Sequence, residues 1–118
     1  MIRVYLVEDQ ALVRDAVAAL LSLDFNIEVI GQASNGQDAL NEINALSEDL
    51  HPDIVLTDIE MPSMNGIELS EQIAAKHPAI NMVIMTTFSR AGYIRRSLSA
   101  GVKGFILKEA PSEELINA

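Results

Sequence analysis

Five polar side chains stand directly after apolar runs, and their types suit phosphoryl chemistry. They are Glu8, Asp9, Asp58, Thr86 and Lys108. Carboxylate oxygens are the hard ligands that Mg²⁺ takes in proteins, and Mn²⁺ is a second metal that such a set accepts. The ammonium group of Lys108 and the hydroxyl of Thr86 suit the oxygens of an anion. These residues therefore predict a pocket with a metal on one side and a phosphoryl group on the other.

The sequence restricts the nucleophile of this pocket to a carboxylate. The chain has no cysteine, which excludes thiolate nucleophiles, thiolate metal sites and disulfides. His51 and His77 each precede a proline near a predicted helix end, and we expect both to be structural. Asp58, at the centre of the acidic group, is then best placed to form an aspartyl phosphate.

Short apolar runs alternate with amphipathic stretches, which predicts five strands separated by helices. The predicted strands are 2–7, 27–33, 53–57, 81–86 and 104–107, read as buried on both faces. Apolar residues at helical spacing predict four helices between these strands. Their apolar residues are Leu12, Val13, Ala16, Val17, Leu20 and Leu21 in the first, Ala39, Leu40, Ile43 and Leu46 in the second, Leu69 and Ile73 in the third, and Ile94 and Leu98 in the fourth. We expect Asp9 to cap the first helix and Asn65 with Gly66 to precede the third.

This alternation predicts an α/β fold, a (βα)₅ flavodoxin-like doubly wound parallel sheet with strand order 2-1-3-4-5. Ligands of such sheets bind outside the carboxyl ends of the strands, where the strand order reverses. Strands one and three are neighbours there, which places Glu8, Asp9 and Asp58 within a few ångströms of one another. Three carboxylates that close repel each other unless a cation compensates, so a divalent metal is expected.

The length, charge and remaining motifs of the sequence exclude several classes of function. A length of 118 residues fits one domain. The net charge of −9 repels nucleic acid and anionic lipid, so these residues are not a DNA-binding surface. The run 31–36 has the glycine spacing of a nucleotide-binding loop but continues with Gln37 and Asp38 where Lys and Ser or Thr are needed. Since no signal peptide or membrane span is evident, we expect a cytoplasmic protein.

These residues together resemble the receiver domain of two-component response regulators. The resemblance covers essentially the whole chain and rests on Glu8-Asp9, Asp58-Ile59-Glu60-Met61-Pro62, Gly66, Thr86 and Lys108. The segments 86–88 and 101–108 are most similar to receivers of the NarL/FixJ (LuxR-type) group, which are joined to a helix-turn-helix domain. The resemblance implies a phosphorylation switch, not an enzyme, in which Asp58 accepts a phosphoryl group from a sensor histidine kinase.

The resemblance also implies a role for each site residue. Glu8, Asp9, Asp58 and the main-chain carbonyl of Glu60 would hold Mg²⁺. Lys108 and Thr86 would hold the phosphoryl oxygens.

Two further sets of residues follow from the same resemblance. On phosphorylation Thr86 would move inward and Phe105 would rotate, which changes the face formed by helix four, strand five and helix five. Glu60, Thr87 and Phe88 would flank the path of the hydrolysing water, and we expect Phe88 to shield the phosphoryl group.

The domain prediction is a receiver over residues 1–118, with its fifth helix cut short and a basic helix-turn-helix DNA-binding domain downstream. Phosphorylation is expected to promote homodimerisation, because such domains read paired half-sites. DNA would be contacted only through that further domain, and no membrane partner is expected.

Two other functions stay open on the residues alone. One is an aspartate-nucleophile phosphatase similar to the haloacid dehalogenase superfamily, with Glu60 two residues after the nucleophile as general acid. This alternative leaves Glu8 and Asp9 unexplained. The other is a receiver-shaped interaction module that takes no phosphate.

Overall fold

The computed structural model describes residues 2–58, 64–86 and 102–107, with side chains described for residues 2–58 and 64–85. Its elements are β1 (Ile2–Val7), α1 (Ala11–Ser22), β2 (Ile27–Ala33), α2 (Gly36–Ala45), a 3-10 helix (Glu48–Leu50), β3 (Ile54–Thr57), α3 (Gly66–Lys76), β4 (Asn81–Thr86) and β5 (Val102–Leu107). The predicted bounds of β1, β2 and β4 are confirmed, and β5 begins two residues earlier than predicted.

β3 begins one residue later than predicted, because Asp53 makes two bonds to the backbone of Arg3. The Arg3 N–H donates to the Asp53 carboxylate at 2.8 Å, and the Asp53 N–H donates to the Arg3 carbonyl at 2.8 Å. Asp53 therefore fastens the start of β3 to β1.

The five strands form one parallel sheet in the order β2-β1-β3-β4-β5. This confirms the predicted flavodoxin-like α/β fold. The register places Val7, Thr57, Ile84 and Phe105 in one row across four neighbouring strands. Residues that follow this row on each strand consequently lie at the same edge of the sheet.

Two apolar clusters cover the two faces of the sheet, since alternate strand residues point to opposite sides. The cluster under α2 and α3 contains Tyr5, Val7, Ala33, Ala39, Leu40, Ile43, Val55, Ile67, Leu69, Ile73, Ile80, Met82 and Ile84. The cluster under α1 contains Val4, Leu6, Val17, Leu21, Leu56, Val83 and Met85. The prediction that Met82 and Met85 fill the core is confirmed.

Two predictions about burial are wrong in part. In α1, Val17 and Leu21 are buried, but Leu12 is 84 % exposed and Ala16 is also exposed. The stripe that meets the sheet is therefore narrower than the apolar pattern, and Leu12 lies in the first turn outside it. β2 is not buried on both faces, because it is an edge strand and most of its residues are only half-buried.

The predicted cap of α1 is also wrong. The prediction that Asn65 precedes α3 is confirmed, whereas Gly66 is the first residue of that helix. α1 has Gln10 at its N-cap, with no side-chain cap hydrogen bond. At α3 the Asn65 side chain accepts from the Glu68 N–H at 2.8 Å, and the Glu68 carboxylate accepts from the Asn65 N–H at 3.2 Å. This reciprocal pair is a capping box.

Ile94 and Leu98, which mark the predicted fourth helix, lie outside the described residues. Within the described ranges, the helices are all too short or too polar to cross a bilayer.

Candidate functional site

The structure brings three of the predicted site residues together at the carboxyl edge of the sheet. Glu8 and Asp9 follow β1, Asp58 follows β3, and Val7 and Thr57 pair as the last residues of these adjacent strands. One carboxylate oxygen from each acid lies within 4.8 Å of the others. Glu8 is fully buried, Asp58 is 7 % exposed and Asp9 is exposed. We call these three residues the acidic cluster.

Backbone hydrogen bonds fix the two buried members of the cluster to neighbouring strands. The Glu8 N–H donates to the Ala33 carbonyl at the end of β2, at 3.0 Å. The Asp58 N–H donates to the Val7 carbonyl at the end of β1, also at 3.0 Å. Each bond continues a strand pairing one residue beyond its strand, so the sheet itself holds both carboxylates at this edge.

Polar groups of α1 fix the turn that carries Glu8 and Asp9. The Arg14 guanidinium donates to the Glu8 carbonyl at 2.8 Å, and the Gln10 N–H donates to the Glu8 carboxylate at 3.2 Å. These bonds join the first turn of α1 to the acidic turn. The cluster is therefore built on rigid elements rather than on a free loop.

The donor set of the acidic cluster fits a hard divalent cation. It offers carboxylate oxygens only, two of them on largely buried residues, and Mg²⁺ prefers oxygen ligands and retains several waters. The exposure of Asp9 leaves the cluster open to water on one side. Like charges at this spacing repel one another, and a bound cation would offset that repulsion.

Of the two predicted anion-binding residues, Thr86 lies at the same edge by register. Thr86 is the last residue of β4 and pairs with Leu107, the residue before Lys108. Phe105 lies in β5 and pairs with Ile84. Four of the predicted site residues lie outside the described residues: Glu60, Thr87, Phe88 and Lys108. The roles assigned to these four, and to Thr86 and Phe105, stay predictions.

The two histidines are neighbours at the opposite, amino-terminal edge of the sheet. Their rings meet edge to face with centroids 4.6 Å apart. His51 Nε2 is 3.1 Å from the Leu46 carbonyl oxygen, to which it can only donate, and His77 Nε2 is 2.7 Å from Asn44 Oδ1. The structural role predicted for both histidines agrees with these contacts, although their proximity had no signal in the sequence.

Arg14 is the site residue that sequence reasoning missed. It is one of only eight basic residues, and it stands one turn after Gln10 in a helix that follows two acids. A basic side chain at this position could have been predicted to lie at the site, because the first turns of this helix must lie near the end of β1.

Comparison with known proteins assigns the chain to a family. The sequence profile described as the response regulator receiver domain matches residues 4–118. The transcriptional regulatory protein DesR of Bacillus subtilis is 42 % identical over 118 residues, which are 100 % of this chain and 56 % of DesR. The chain thus spans about half the length of the curated relatives it matches. Those relatives are named as response or transcriptional regulators rather than as enzymes.

Solved structures give the same assignment. A DNA-binding response regulator of the LuxR family from Staphylococcus aureus has a TM-score of 0.89 at 36 % identity, covering 99 % of this chain and 94 % of that one. The signal receiver domain of the response regulator NarL from Mycobacterium tuberculosis has a TM-score of 0.89 at 28 % identity, covering 98 % and 90 %.

Proposed function

The chain belongs to the response regulator receiver domains, in the NarL/FixJ (LuxR-type) group, and on this basis we propose that Asp58 accepts a phosphoryl group. The donor is a phosphohistidine of a sensor histidine kinase. The phosphorylated chain then acts as a switch for transcription.

The observation that carries the proposal is the acidic cluster. A domain selected only for stability has no use for three carboxylates whose oxygens lie within 4.8 Å of one another, two of them in largely buried residues. The same arrangement suits a site that holds a cation and transfers a phosphoryl group. Mg²⁺, or Mn²⁺ in its place, would be held by Glu8, Asp9, Asp58 and the Glu60 carbonyl, and it would neutralise charge on the transferring oxygens.

In the reaction, a carboxylate oxygen of Asp58 forms a bond to phosphorus. The bond from phosphorus to the donor imidazole nitrogen breaks, and that nitrogen keeps the electron pair and takes up a proton. The bond from the Asp58 N–H to the Val7 carbonyl fixes the backbone of the nucleophile during this step. Lys108 and Thr86 donate to the phosphoryl oxygens from the β4 and β5 side of the site.

Readout of the switch begins at Thr86. When its hydroxyl moves toward the phosphoryl group, Phe105 occupies the space it leaves, and the face of helix four, strand five and helix five changes. The lifetime of the phosphoryl group depends on water reaching it past Glu60, Thr87 and Phe88. Shielding by Phe88 makes hydrolysis slow, so Phe88→Ala shortens the lifetime measured by loss of the mass adduct.

The switch controls transcription through a further domain and through dimerisation. We propose a cytoplasmic protein in which residues 1–118 are the receiver and a downstream helix-turn-helix domain contacts DNA. Phosphorylation favours a homodimer, which matches the two-fold symmetry of paired half-sites. Sedimentation of the full-length protein with and without fluoroberyllate tests this, and a monomer in both states contradicts it.

Intact mass spectrometry tests the phosphoacceptor directly. The chain is incubated with acetyl phosphate or phosphoramidate, with Mg²⁺ or with a chelator. We expect a single phosphoryl adduct that requires Mg²⁺ and is absent from Asp58→Asn, whose amide keeps the shape of the side chain and loses the nucleophile. A stoichiometric adduct on Asp58→Asn contradicts the assignment.

The same experiment separates the alternatives. Continuous release of inorganic phosphate, with no adduct that persists, supports a phosphatase of haloacid dehalogenase type. Absence of both adduct and turnover supports an interaction module that takes no phosphate.

A further inference from the structure

Thr57 is a polar residue in an apolar position. It is the last residue of β3 and is fully buried. Its partners in the sheet are Val7 on β1 and Ile84 on β4, and both belong to the apolar cluster under α2 and α3. Val55, two residues earlier on the same face of β3, belongs to that cluster too. Valine is branched at Cβ like threonine and would suit this face without burying a hydroxyl group. Packing alone therefore does not explain the hydroxyl.

The Thr57 hydroxyl has a partner in the main chain of the phosphoacceptor. It donates to the Asp58 carbonyl at 3.0 Å. The Asp58 N–H donates to the Val7 carbonyl, also at 3.0 Å. The two peptide groups that flank the Cα atom of Asp58 are thus each held by a hydrogen bond, one through strand pairing and the other through the preceding side chain. Because peptide groups are planar, holding both of them fixes φ and ψ of Asp58 and with them the direction of its Cα–Cβ bond.

A fixed Cα–Cβ direction matters at Asp58 because its side chain lies beside two further carboxylates. One of its oxygens is within 4.8 Å of oxygens of Glu8 and Asp9. Repulsion among the three groups favours backbone rotations that move them apart. β3 ends at Thr57, so regular strand pairing does not hold the carbonyl side of Asp58. The bond from Thr57 opposes rotation on that side.

We propose that Thr57 is a positioning residue for the phosphoacceptor. It acts through the main chain of Asp58 and contacts none of the reacting atoms. By holding the peptide group on the carbonyl side of Asp58, its hydroxyl keeps the carboxylate in the direction from which it attacks phosphorus. This inference rests on the proposed function, and it gives the residue before the nucleophile a part in the rate of phosphorylation.

Two substitutions at position 57 separate the hydroxyl from the rest of the side chain. Thr57→Val keeps the branched shape and loses the hydroxyl, whereas Thr57→Ser keeps the hydroxyl and loses the methyl group. We expect Thr57→Val to slow phosphorylation by acetyl phosphate at saturating Mg²⁺ about tenfold, since misplacement of a reacting group by about 1 Å can cost about a hundredfold. Thr57→Ser should keep the wild-type rate, while its unfolding midpoint falls because a buried methyl group is lost.

Ser70→Ala is the matched control. Ser70 is also fully buried, and its hydroxyl donates to the Gly66 carbonyl at 2.7 Å within α3. This variant loses a bond of the same type, from a buried hydroxyl to a main-chain carbonyl, but the bond does not involve Asp58. We expect its unfolding midpoint to fall and the phosphorylation rate of the folded protein to equal that of wild type.

A second readout needs neither phosphate nor metal. The residual dipolar coupling of the Asp58 Cα–Hα bond, measured by NMR in metal-free protein, reports the orientation of this residue relative to the sheet. Wild type and Thr57→Ser should give the same coupling. Thr57→Val should give a smaller one, because the residue then samples several orientations.

These measurements have outcomes that overturn the inference. A wild-type rate in Thr57→Val does so, and so do equal losses of rate in Thr57→Val and either Thr57→Ser or Ser70→Ala. An unchanged Asp58 coupling in Thr57→Val also overturns it. If wild-type protein forms no adduct, the proposed function is contradicted instead, and the dipolar coupling still decides whether Thr57 holds Asp58.

Discussion

Glu42 and Glu8 show two different uses of a carboxylate in the same domain. Glu42 is an exposed residue of α2 that accepts a hydrogen bond from the Tyr5 hydroxyl at 2.6 Å. Glu8 is fully buried beside two further acids. The first carboxylate satisfies a buried donor and supports the fold. The second joins a group of like charges that the fold must hold together. On the proposed function, the first kind of carboxylate serves stability and the second serves the phosphoryl site.

The Tyr5 contact is consistent with a stabilising role in every respect. Burial raises the pKa of Tyr5 above its ordinary value, and the hydrogen bond to Glu42 raises it further. The phenol therefore stays protonated and donates at neutral pH. The ring packs in the cluster under α2 and α3, and Gly31 leaves space for it. The acidic cluster, by contrast, brings three carboxylates within 4.8 Å of one another.

The largest expected effect on stability comes from removing the Tyr5 ring. Tyr5→Ala should lower the free energy of unfolding by about 3–5 kcal/mol, the range for loss of a buried aromatic. Tyr5→Phe keeps the ring, loses the bond to Glu42 and should cost only about 1 kcal/mol. Urea unfolding measures both. If Tyr5→Phe lowered the phosphorylation rate of folded protein, the separation between the two regions would be wrong.

At the acidic cluster, bound Mg²⁺ should raise the free energy of unfolding, and so should removal of one charge in the absence of metal. Mg²⁺ at a hundred times its dissociation constant should stabilise the wild type by about 2.7 kcal/mol. Asp9→Asn should gain less from Mg²⁺ and, without metal, should be more stable than wild type by about 1 kcal/mol, the repulsion of two charges near water. Thermal unfolding with Mg²⁺ and with a chelator checks this. An unchanged response to Mg²⁺ in Asp9→Asn would remove Asp9 from the site.

The smallest effect is expected at the histidine pair, whose His77 contacts Asn44 of α2. Burial lowers the pKa of His77, with further lowering by His51 and Lys76 and an opposing effect of Glu48. The unfolded chain then binds the proton more tightly, so the free energy of unfolding should fall slightly as pH drops below about 6.5. His77→Gln should remove this part of the pH dependence in urea unfolding between pH 5 and 7.5. An identical slope in the variant would contradict it.

Strand positions could be predicted from the sequence because each strand is a short apolar run bounded by polar residues. β1, β2 and β4 have the predicted bounds for this reason. Burial was less predictable, since an apolar stripe does not say how much of a helix meets the sheet. Leu12 continues the stripe of α1 and yet lies 84 % exposed in its first turn.

The acidic cluster could also be predicted, because parallel strands that are neighbours end at the same edge. Knowing the order β2-β1-β3 was enough to bring Asp58 to Glu8 and Asp9. Contacts between loops and helix ends follow no comparable rule of sequence position. The bonds from Arg14 to the Glu8 carbonyl and from Gly36 to the Met64 carbonyl depend on backbone positions that appear only in the folded chain.

Chemical trapping of the acyl phosphate identifies the phosphoacceptor, because it distinguishes the three carboxylates of the acidic cluster. Borohydride reduces an acyl phosphate to an alcohol, which converts a phosphorylated aspartate into homoserine. The chain is phosphorylated with acetyl phosphate and Mg²⁺, reduced, digested and mapped by mass spectrometry. We expect homoserine at position 58 alone. Reduction at Asp9 or Glu8 with Asp58 unchanged, or at none of the three, would contradict it.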